Sequence, residues 1–364
     1  MTGKASALRA LVVGTGFGCR IQVPALRAAG FDVVGLVGTD FERTSQRAAL
    51  NDVPEAFIDL DKAIAVTGAQ VVAVSVPPQI HAEITLQAIG HDCHVLCEKP
   101  FAANATEAQT MLDAITRTGK VHALGHEFRF MPHRAALSAA IADGVIGEPR
   151  LATFVQHASW VTENEPGLMD WWFDPVQGGG WLGAHSPHTL DMIRCWLGDF
   201  ESVSALLPRV TITRGEVEDS YSMRFRMKNG AVGVIQQCGG DYAGMSEMAR
   251  IVGSKGAVWV EGTQIMYADR QGVRELRVGP EFDLPPMPPI PDDPRQQSPE
   301  WKMLLGLELR PYIQLCLTMR AAILGEAPPT RVPMATFRDG VASIRLADAI
   351  RASSREDGKM MMID

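Results

Sequence analysis

The first third of the chain alternates short, wholly apolar runs with longer stretches of helical period. Residues 8–13, 31–37, 70–76, 94–97 and 120–126 read as strands, and residues 21–29, 80–89 and 104–118 as helices between them. Continuous apolar, β-branched runs are expected of parallel strands buried on both faces. Gly30 and Gly119 stand where a helix end favours a residue free to take positive φ. After a helix at 133–143 the period changes. Residues 150–160, 201–211, 219–227, 231–238, 248–253, 257–261, 264–268 and 273–278 alternate apolar and polar positions, with turn signals such as Lys228-Asn229-Gly230 between them. That alternation predicts an antiparallel sheet with one face on a core and the other turned to solvent or a partner. Residues 187–197, 301–324 and 334–353 read as helices, and residues 279–299, with eight prolines, as an extended excursion. The expected fold is α/β: a doubly wound parallel sheet over residues 1–128, then an α+β domain over residues 129–364 with a large, mostly antiparallel open sheet.

Composition narrows the class. At 364 residues the chain is too long for one ordinary core, which agrees with two domains. Its 46% hydrophobic and 21% charged content is that of a globular protein. A net charge of −8 supplies no basic footprint, so nucleic acid is not an expected partner. No apolar run is long enough to span a bilayer, and residues 1–9 carry no signal-peptide core, so no membrane partner is expected. The six cysteines (Cys19, Cys93, Cys97, Cys195, Cys238 and Cys316) form no Cys-x-x-Cys pair and no zinc spacing. They read as reduced packing thiols of a cytoplasmic protein with no metal site.

Candidate chemistry begins where the first strand runs into Gly14-Thr15-Gly16-Phe17-Gly18-Cys19. A strand, a glycine turn and a helix form the dinucleotide-binding pattern. Gly14 suits the tight turn and Gly16 the approach of a pyrophosphate. Cys19 stands at the third glycine position, and Gly18 reads as loosening the loop. The same letters also describe a plain turn. At the end of the second strand, where an NAD site carries a carboxylate, the chain has Gly38-Thr39-Asp40 and then Arg43. Gly38 leaves room for a 2′-phosphate, and Thr39 and Arg43 can bind it, which leans toward NADP. Asp40 can instead meet the ribose or cap the next helix. Val76-Pro77-Pro78 and Glu98-Lys99-Pro100 end two further strands on the ligand side of such a sheet. A lysine there can stabilise charge developing on a substrate oxygen, although a surface lysine explains the same letters.

In the second half, Gly178-Gly179-Gly180 leads to His185-Ser186-Pro187-His188 and Asp191. Ser186 reads as an N-cap with Pro187 at the first helical position. His188 then lies in the first turn, where the helix end disfavours an imidazolium and leaves a neutral ring able to accept a proton. A glycine turn with a polar cap is the alternative. Within the loop 161–177, the run Met169-Asp170-Trp171-Trp172-Phe173-Asp174 sets three aromatics and two carboxylates close to Trp160. It suits a pocket that stacks on a ring, or equally a hook into the core or a subunit contact.

Gly14-x-Gly16, Val76-Pro77-Pro78-x-x-His81, Glu98-Lys99-Pro100, Arg129-Phe130, Gly178-Gly179-Gly180-x-Leu182 and His188-x-x-Asp191 occur in that order. Together they resemble the glucose–fructose oxidoreductase / inositol dehydrogenase / rhizopine-catabolism (Gfo/Idh/MocA) family over nearly the whole chain. The resemblance implies a Rossmann domain and a second domain whose open sheet builds dimers or tetramers. It also implies an NAD(P)-dependent dehydrogenase or reductase that moves hydride to or from a carbinol carbon. A sugar, polyol, glycoside or cyclic alcohol is then the substrate. Lys99 matches the catalytic lysine and His188 the catalytic histidine. The family carries an aspartate four residues before that histidine, and this chain has Ala184. His185 is expected to substitute for it, with Asp191 orienting His188. Gly14, Thr15, Gly16, Phe17, Gly18, Thr39, Asp40, Arg43, Val76, Pro77, His81, Glu98 and Lys99 are expected at the cofactor. Arg129, His157, Trp171, Trp172, His185 and Asp191 are expected at the substrate. Ala184 also admits a cofactor-binding sensor or scaffold without turnover. Redox-assisted elimination or hydrolysis of a glycoside, with tightly held cofactor, is a third reading.

Overall fold

The computed structural model describes residues 7–162, 170–175, 177–211, 215–291, 293 and 299–363. The chain divides into one unit of residues 1–102, 106–131 and 284–340, and another of residues 103–105, 132–283 and 341–364.

The first unit is built on β1 (Arg9–Val13), β2 (Asp32–Val37), β3 (Glu55–Phe57), β4 (Val71–Val74), β5 (His94–Cys97) and β6 (His122–Leu124). They form one sheet in the order β3-β2-β1-β4-β5-β6, with every pair parallel. Helices α1 (Val23–Ala28), α2 (Phe41–Leu50), α3 (Leu60–Thr67), α4 (His81–Gly90) and α5 (Ala105–Thr118) connect them. The apolar runs explain this burial: all of β4 and residues 10–13 of β1 are out of contact with water. The helix expected from residue 21 starts earlier, because a π-helical turn, Gly18–Gln22, precedes α1. The three residues of β3 are too few to display a period, and the strand was not expected. Asp40 and Asp59 cap α2 and α3, accepting from the backbone N–H of Arg43 and Lys62 at 2.8 and 2.9 Å.

Helix α9 (Pro299–Leu324) belongs to this unit, although a domain of sequence separates it from β6. Its buried Leu309, Tyr312, Ile313, Cys316 and Met319 pack against α1 and the 3₁₀ turn Glu127–Phe130. The last helix, α10 (Phe337–Arg355), begins later than the expected residue 334. Its start is fixed by Thr336, whose N–H and hydroxyl donate to Asp339 Oδ2 at 2.7 and 2.9 Å.

The second unit contains α6 (Pro132–Ala142), β7 (Pro149–His157), α7 (Trp181–Ala184), α8 (Pro187–Leu197), β8 (Phe200–Leu206), β9 (Ser220–Met227), β10 (Val232–Cys238), β11 (Ser246–Gly253), β12 (Ala257–Glu261), β13 (Gln264–Asp269), β14 (Gly272–Leu276) and β15 (Met361–Met362). The sheet runs β14-β13-β12-β11-β7-β10-β9-β8-β15, antiparallel throughout except for the β7–β10 pair. Alternation places Tyr221, Met223, Phe225 and Met227 inside and Ser222, Arg224 and Arg226 outside. Phe154 faces Phe225 and the α8 residue Trp196 at ring separations of 6.4 and 6.1 Å. β8 and β7 stop short of the expected residues 211 and 160, and the two-residue β15 was not expected. Among the described residues no helix is long and apolar enough to cross a membrane.

Candidate active site

The cofactor half begins at the glycine loop after β1, beside the point where the strand order reverses between β1 and β4. Gly14 takes φ 114° and donates its N–H to the Val37 carbonyl at 2.9 Å. A Cβ on it would strike the Ser75 backbone, so only glycine fits. Gly18 is not a loosening residue: a Cβ there would run into the Ser75 hydroxyl and Val12. It shares the close packing with Cys19, which is fully buried. At Gly16 a Cβ would meet no atom within 4 Å, so the loop presents bare backbone to open space. This cradle, followed at once by a helical turn, fits a pyrophosphate.

Gly38 does not leave the expected room for a phosphate. The space a Cβ would take is filled by Thr44 and Thr15. Arg43 Nη2 donates to Thr39 Oγ1 at 2.9 Å on an exposed surface, and the Asp40 carboxylate is engaged in its cap. Arg47, not noticed in the sequence, donates to the Thr15 carbonyl at 3.0 Å and to its hydroxyl, tying α2 to the glycine loop.

The turns after β4 and β5 are joined by His81, which is buried. Its Nε2 lies 2.8 Å from the Val76 carbonyl and its Nδ1 2.9 Å from the Pro100 carbonyl. Burial lowers the pKa of this ring, against the pull of the carbonyls. Both ring nitrogens face main-chain carbonyls, and the neutral ring donates its single N–H to one of them at a time. Lys99 follows β5, next but one to β1 in the sheet, and the Lys99–Pro100 peptide is cis. Glu98 is buried beside it. Its Oε1 accepts from the Tyr312 hydroxyl at 2.5 Å and from Gln22 Nε2 at 3.3 Å, and its Oε2 accepts from the Lys99 N–H at 3.3 Å. Burial pushes the Glu98 carboxyl up to about 7, outweighing the Tyr312 hydrogen bond and the Lys99 charge. Burial also raises Glu127 and Glu308. Arg20 pairs with Glu308 at 3.5 Å, and its guanidinium lies 4.0 Å from the Trp301 ring centroid. Arg129, expected at the substrate, directs its guanidinium to the Pro333 carbonyl at 3.2 Å and to Asp339 at 3.0 Å.

The second unit holds the glycine run. Gly180 takes φ 88°, and the short α7 that follows is anchored by Glu218, whose carboxylate accepts from the Leu182 N–H at 3.1 Å. Ser186 does not cap α8 with its side chain. Its hydroxyl points back, 3.0 Å from both the Trp181 carbonyl and Gln237 Oε1. His188 and Asp191 are buried one turn apart on α8, and Ala184 is fully buried. The His185 ring lies 4.3 Å from the ring centroid of Trp181 and 4.9 Å from that of Trp160, with Nε2 at 3.2 Å from Gln156 Oε1. The rings of Trp171 and Trp172 are half-buried and 5.9 Å apart, and the Gly180 N–H donates to the Trp172 carbonyl at 2.8 Å. Residues 163–169 and 176 of that loop lie outside the described residues. His157 Nδ1 meets Asp241 Oδ2 at 2.9 Å. Among the described residues no cluster of metal-ligating side chains occurs.

Sequence reasoning missed Gln22, Arg47, Gln156, Gln237, Glu308 and Tyr312. The available signal was faint: polar side chains at inward positions of otherwise apolar elements, as with Gln22 before α1 and Gln237 in β10.

A doubly wound parallel sheet with a glycine cradle at its switch point and a lysine at a neighbouring strand end defines a nicotinamide-dependent oxidoreductase. A family model described as "Oxidoreductase family, NAD-binding Rossmann fold" matches residues 8–126, and one described as "GFO/IDH/MocA C-terminal domain" matches residues 135–259. The chain belongs to the Gfo/Idh/MocA family of oxidoreductases. An uncharacterized oxidoreductase of Synechocystis is 25% identical over 78% of this chain and 82% of its own length. The 1,5-anhydro-D-fructose reductase of Ensifer adhaerens is 31% identical over 58% of this chain and 62% of its own length. A solved levoglucosan dehydrogenase, in complex with NADH and levoglucosan, shares the fold with a TM-score of 0.81 over 99% of this chain and 100% of that one, at 22% identity.

Proposed function

We propose that the protein moves hydride between a nicotinamide cofactor and a carbinol or carbonyl carbon of a sugar, polyol, glycoside or cyclic alcohol. The observation that carries this is Lys99. It stands at the C-terminal end of β5, two strands from β1 and its glycine cradle with β4 between them, in a turn braced by His81. The cofactor supplies the hydride acceptor. Gly14–Gly18 would hold its pyrophosphate, with Val76 and Pro77 along the neighbouring turn. Lys99 donates to the reacting oxygen and stabilises its charge. His188 accepts the hydroxyl proton, with Asp191 orienting its ring. His157, Trp171, Trp172 and His185 shape the substrate site.

Arg43 on Thr39, with the Asp40 carboxylate taken up by its cap, supports NADP as the preferred cofactor. A panel of levoglucosan, anhydro sugars, aldoses and inositols, followed by NAD(P)H absorbance, tests both points. Turnover of at least one polyol, faster with NADP⁺ than with NAD⁺, is the expected result. Faster turnover with NAD⁺ overturns the cofactor preference, and reduction of neither cofactor by any member opposes the substrate class. The outer face of the second unit's sheet, with exposed Leu151, Val232, Val234, Met248 and Val252, supports a homodimer or homotetramer. Six free cysteines suit a cytoplasmic location.

A further inference from the structure

The second unit carries a hydrogen-bonded row whose orientation is forced from one end. Gln156 of β7 and Gln237 of β10 are register partners across the parallel pair, and both side chains are buried. Trp181 Nε1 lies 3.0 Å from Gln237 Oε1. An indole nitrogen only donates, so the Gln237 atom facing it is its oxygen. The other end of that amide is therefore NH₂, and its two donors go to Gln156 Oε1 at 2.7 Å and Thr189 Oγ1 at 2.9 Å. The Gln156 atom that receives Gln237 is then necessarily oxygen. That same oxygen lies 3.2 Å from His185 Nε2. Two acceptors cannot share a hydrogen bond, so His185 Nε2 carries the proton. In the neutral ring Nδ1 is then the basic nitrogen. The usual freedom to assign amide flips and imidazole tautomers is removed here by a single donor-only group.

We propose that Gln237 and Gln156 are positioning residues that hold His185 as its Nε2–H tautomer, so that Nδ1 accepts the hydrogen bond of a substrate hydroxyl in place of the carboxylate that Ala184 lacks. The substrate part rests on the oxidoreductase reading above; the tautomer does not. Trp181 and Trp160 flank the imidazole and fix its plane, as expected of a ring that must present one chosen nitrogen. Ser186 closes the row: its hydroxyl lies 3.0 Å from both Gln237 Oε1 and the Trp181 carbonyl, and its one proton serves either of these acceptors instead of the α8 cap. Trp181, Gln156 and Thr189 fill three of the four hydrogen-bonding positions of the Gln237 amide, and the fourth faces Ser186.

The test is ¹⁵N NMR of histidine-labelled protein at a pH where the imidazoles are neutral, on wild type, Gln156→Met and Gln156→Glu. The His185 resonances are assigned by their loss in His185→Asn, or from backbone connectivity if that variant does not fold. The expected result is a protonated Nε2 and an unprotonated Nδ1 in wild type. Gln156→Glu, which keeps an acceptor, should retain that state. Gln156→Met, which removes it, should give a mixture of tautomers. A protonated Nδ1 in the wild type overturns the proposal without any variant. This readout needs no turnover, so its failure is distinct from failure of the functional reading. In the assay, Gln156→Met should lower kcat about tenfold, at the low end for a positioned acid–base group, with NAD(P)H affinity unchanged and activity restored by Gln156→Glu. Altered tautomers with unchanged kcat would overturn the role of Nδ1 at the substrate.

Discussion

At the residue scale, the glycines of the cofactor loop have separable roles. Gly14 is required by φ 114° and by the Ser75 backbone, whereas Gly16 is required by neither. Gly14→Ala should destabilise the protein by about 2 kcal/mol or more, read by urea unfolding. Gly16→Ala should leave the unfolding midpoint unchanged and weaken NAD(P)H binding at least about tenfold, because its methyl would occupy the face offered to pyrophosphate. Equal effects of the two substitutions on stability would contradict the assignment. Glu98 gives a second expectation. Its carboxyl is raised to about 7 by burial, so between the ordinary 4.5 and that value the folded chain holds a proton that the unfolded chain has released. Stability contributed by this group is therefore present at low pH and lost as pH rises through that window. Glu98→Gln should flatten the decline of the urea midpoint between about pH 5 and 8 relative to wild type. An unchanged slope would show that Glu98 ionises normally. Glu98 itself was legible as part of a motif. Tyr312 and Gln22, which hold it, were not: they are 290 residues apart in sequence, and no local pattern marks either.

At the scale of elements, apolar periodicity located most strands and helices to within a few residues, because burial on one or both faces leaves its imprint in every turn. It failed where an element is too short to show a period, as with β3 and β15, it gave no reading of the two-turn helix α3, and it misjudged side chains that prefer a tertiary partner to a local one. Ser186 is of the last kind: it has the letters of an N-cap and instead turns its hydroxyl toward Gln237. Gly38 is similar, since its missing side chain makes room for Thr44, not for a ligand. The outer face of β7, β10 and β11 carries a further expectation. Val234 is 49% exposed at its centre, so a charge there disturbs no core. Val234→Glu should leave far-UV circular dichroism unchanged and shift the protein to monomer in light scattering, since a desolvated carboxylate opposes burial. A monomeric wild type, or an unaltered mass for the variant, would contradict oligomerisation through this face.

For the whole molecule, the order of elements announces a doubly wound sheet followed by an antiparallel one, and the fold follows that order. What linear reading cannot announce is the return of residues 284–340 to the first unit, where α9 supplies Glu308 and Tyr312 to the Glu98 cluster. A helix carries no label for the sheet it covers; α9 is only a long, largely apolar helical stretch until its partner is known. The candidate chemistry is likewise divided along the chain, with the cradle and Lys99 in one unit and the His185–Gln156–Gln237 row with His188 in the other.

The most direct test of the account is turnover by a Lys99→Ala variant, measured as NAD(P)H absorbance on the best substrate of the panel, alongside cofactor affinity by fluorescence titration. Lys99 is assigned to the reacting oxygen and not to folding. Its loss should therefore lower kcat/KM at least about a hundredfold while the cofactor dissociation constant stays within about threefold of wild type. A folded variant that binds cofactor and turns over at near wild-type rates would contradict the account.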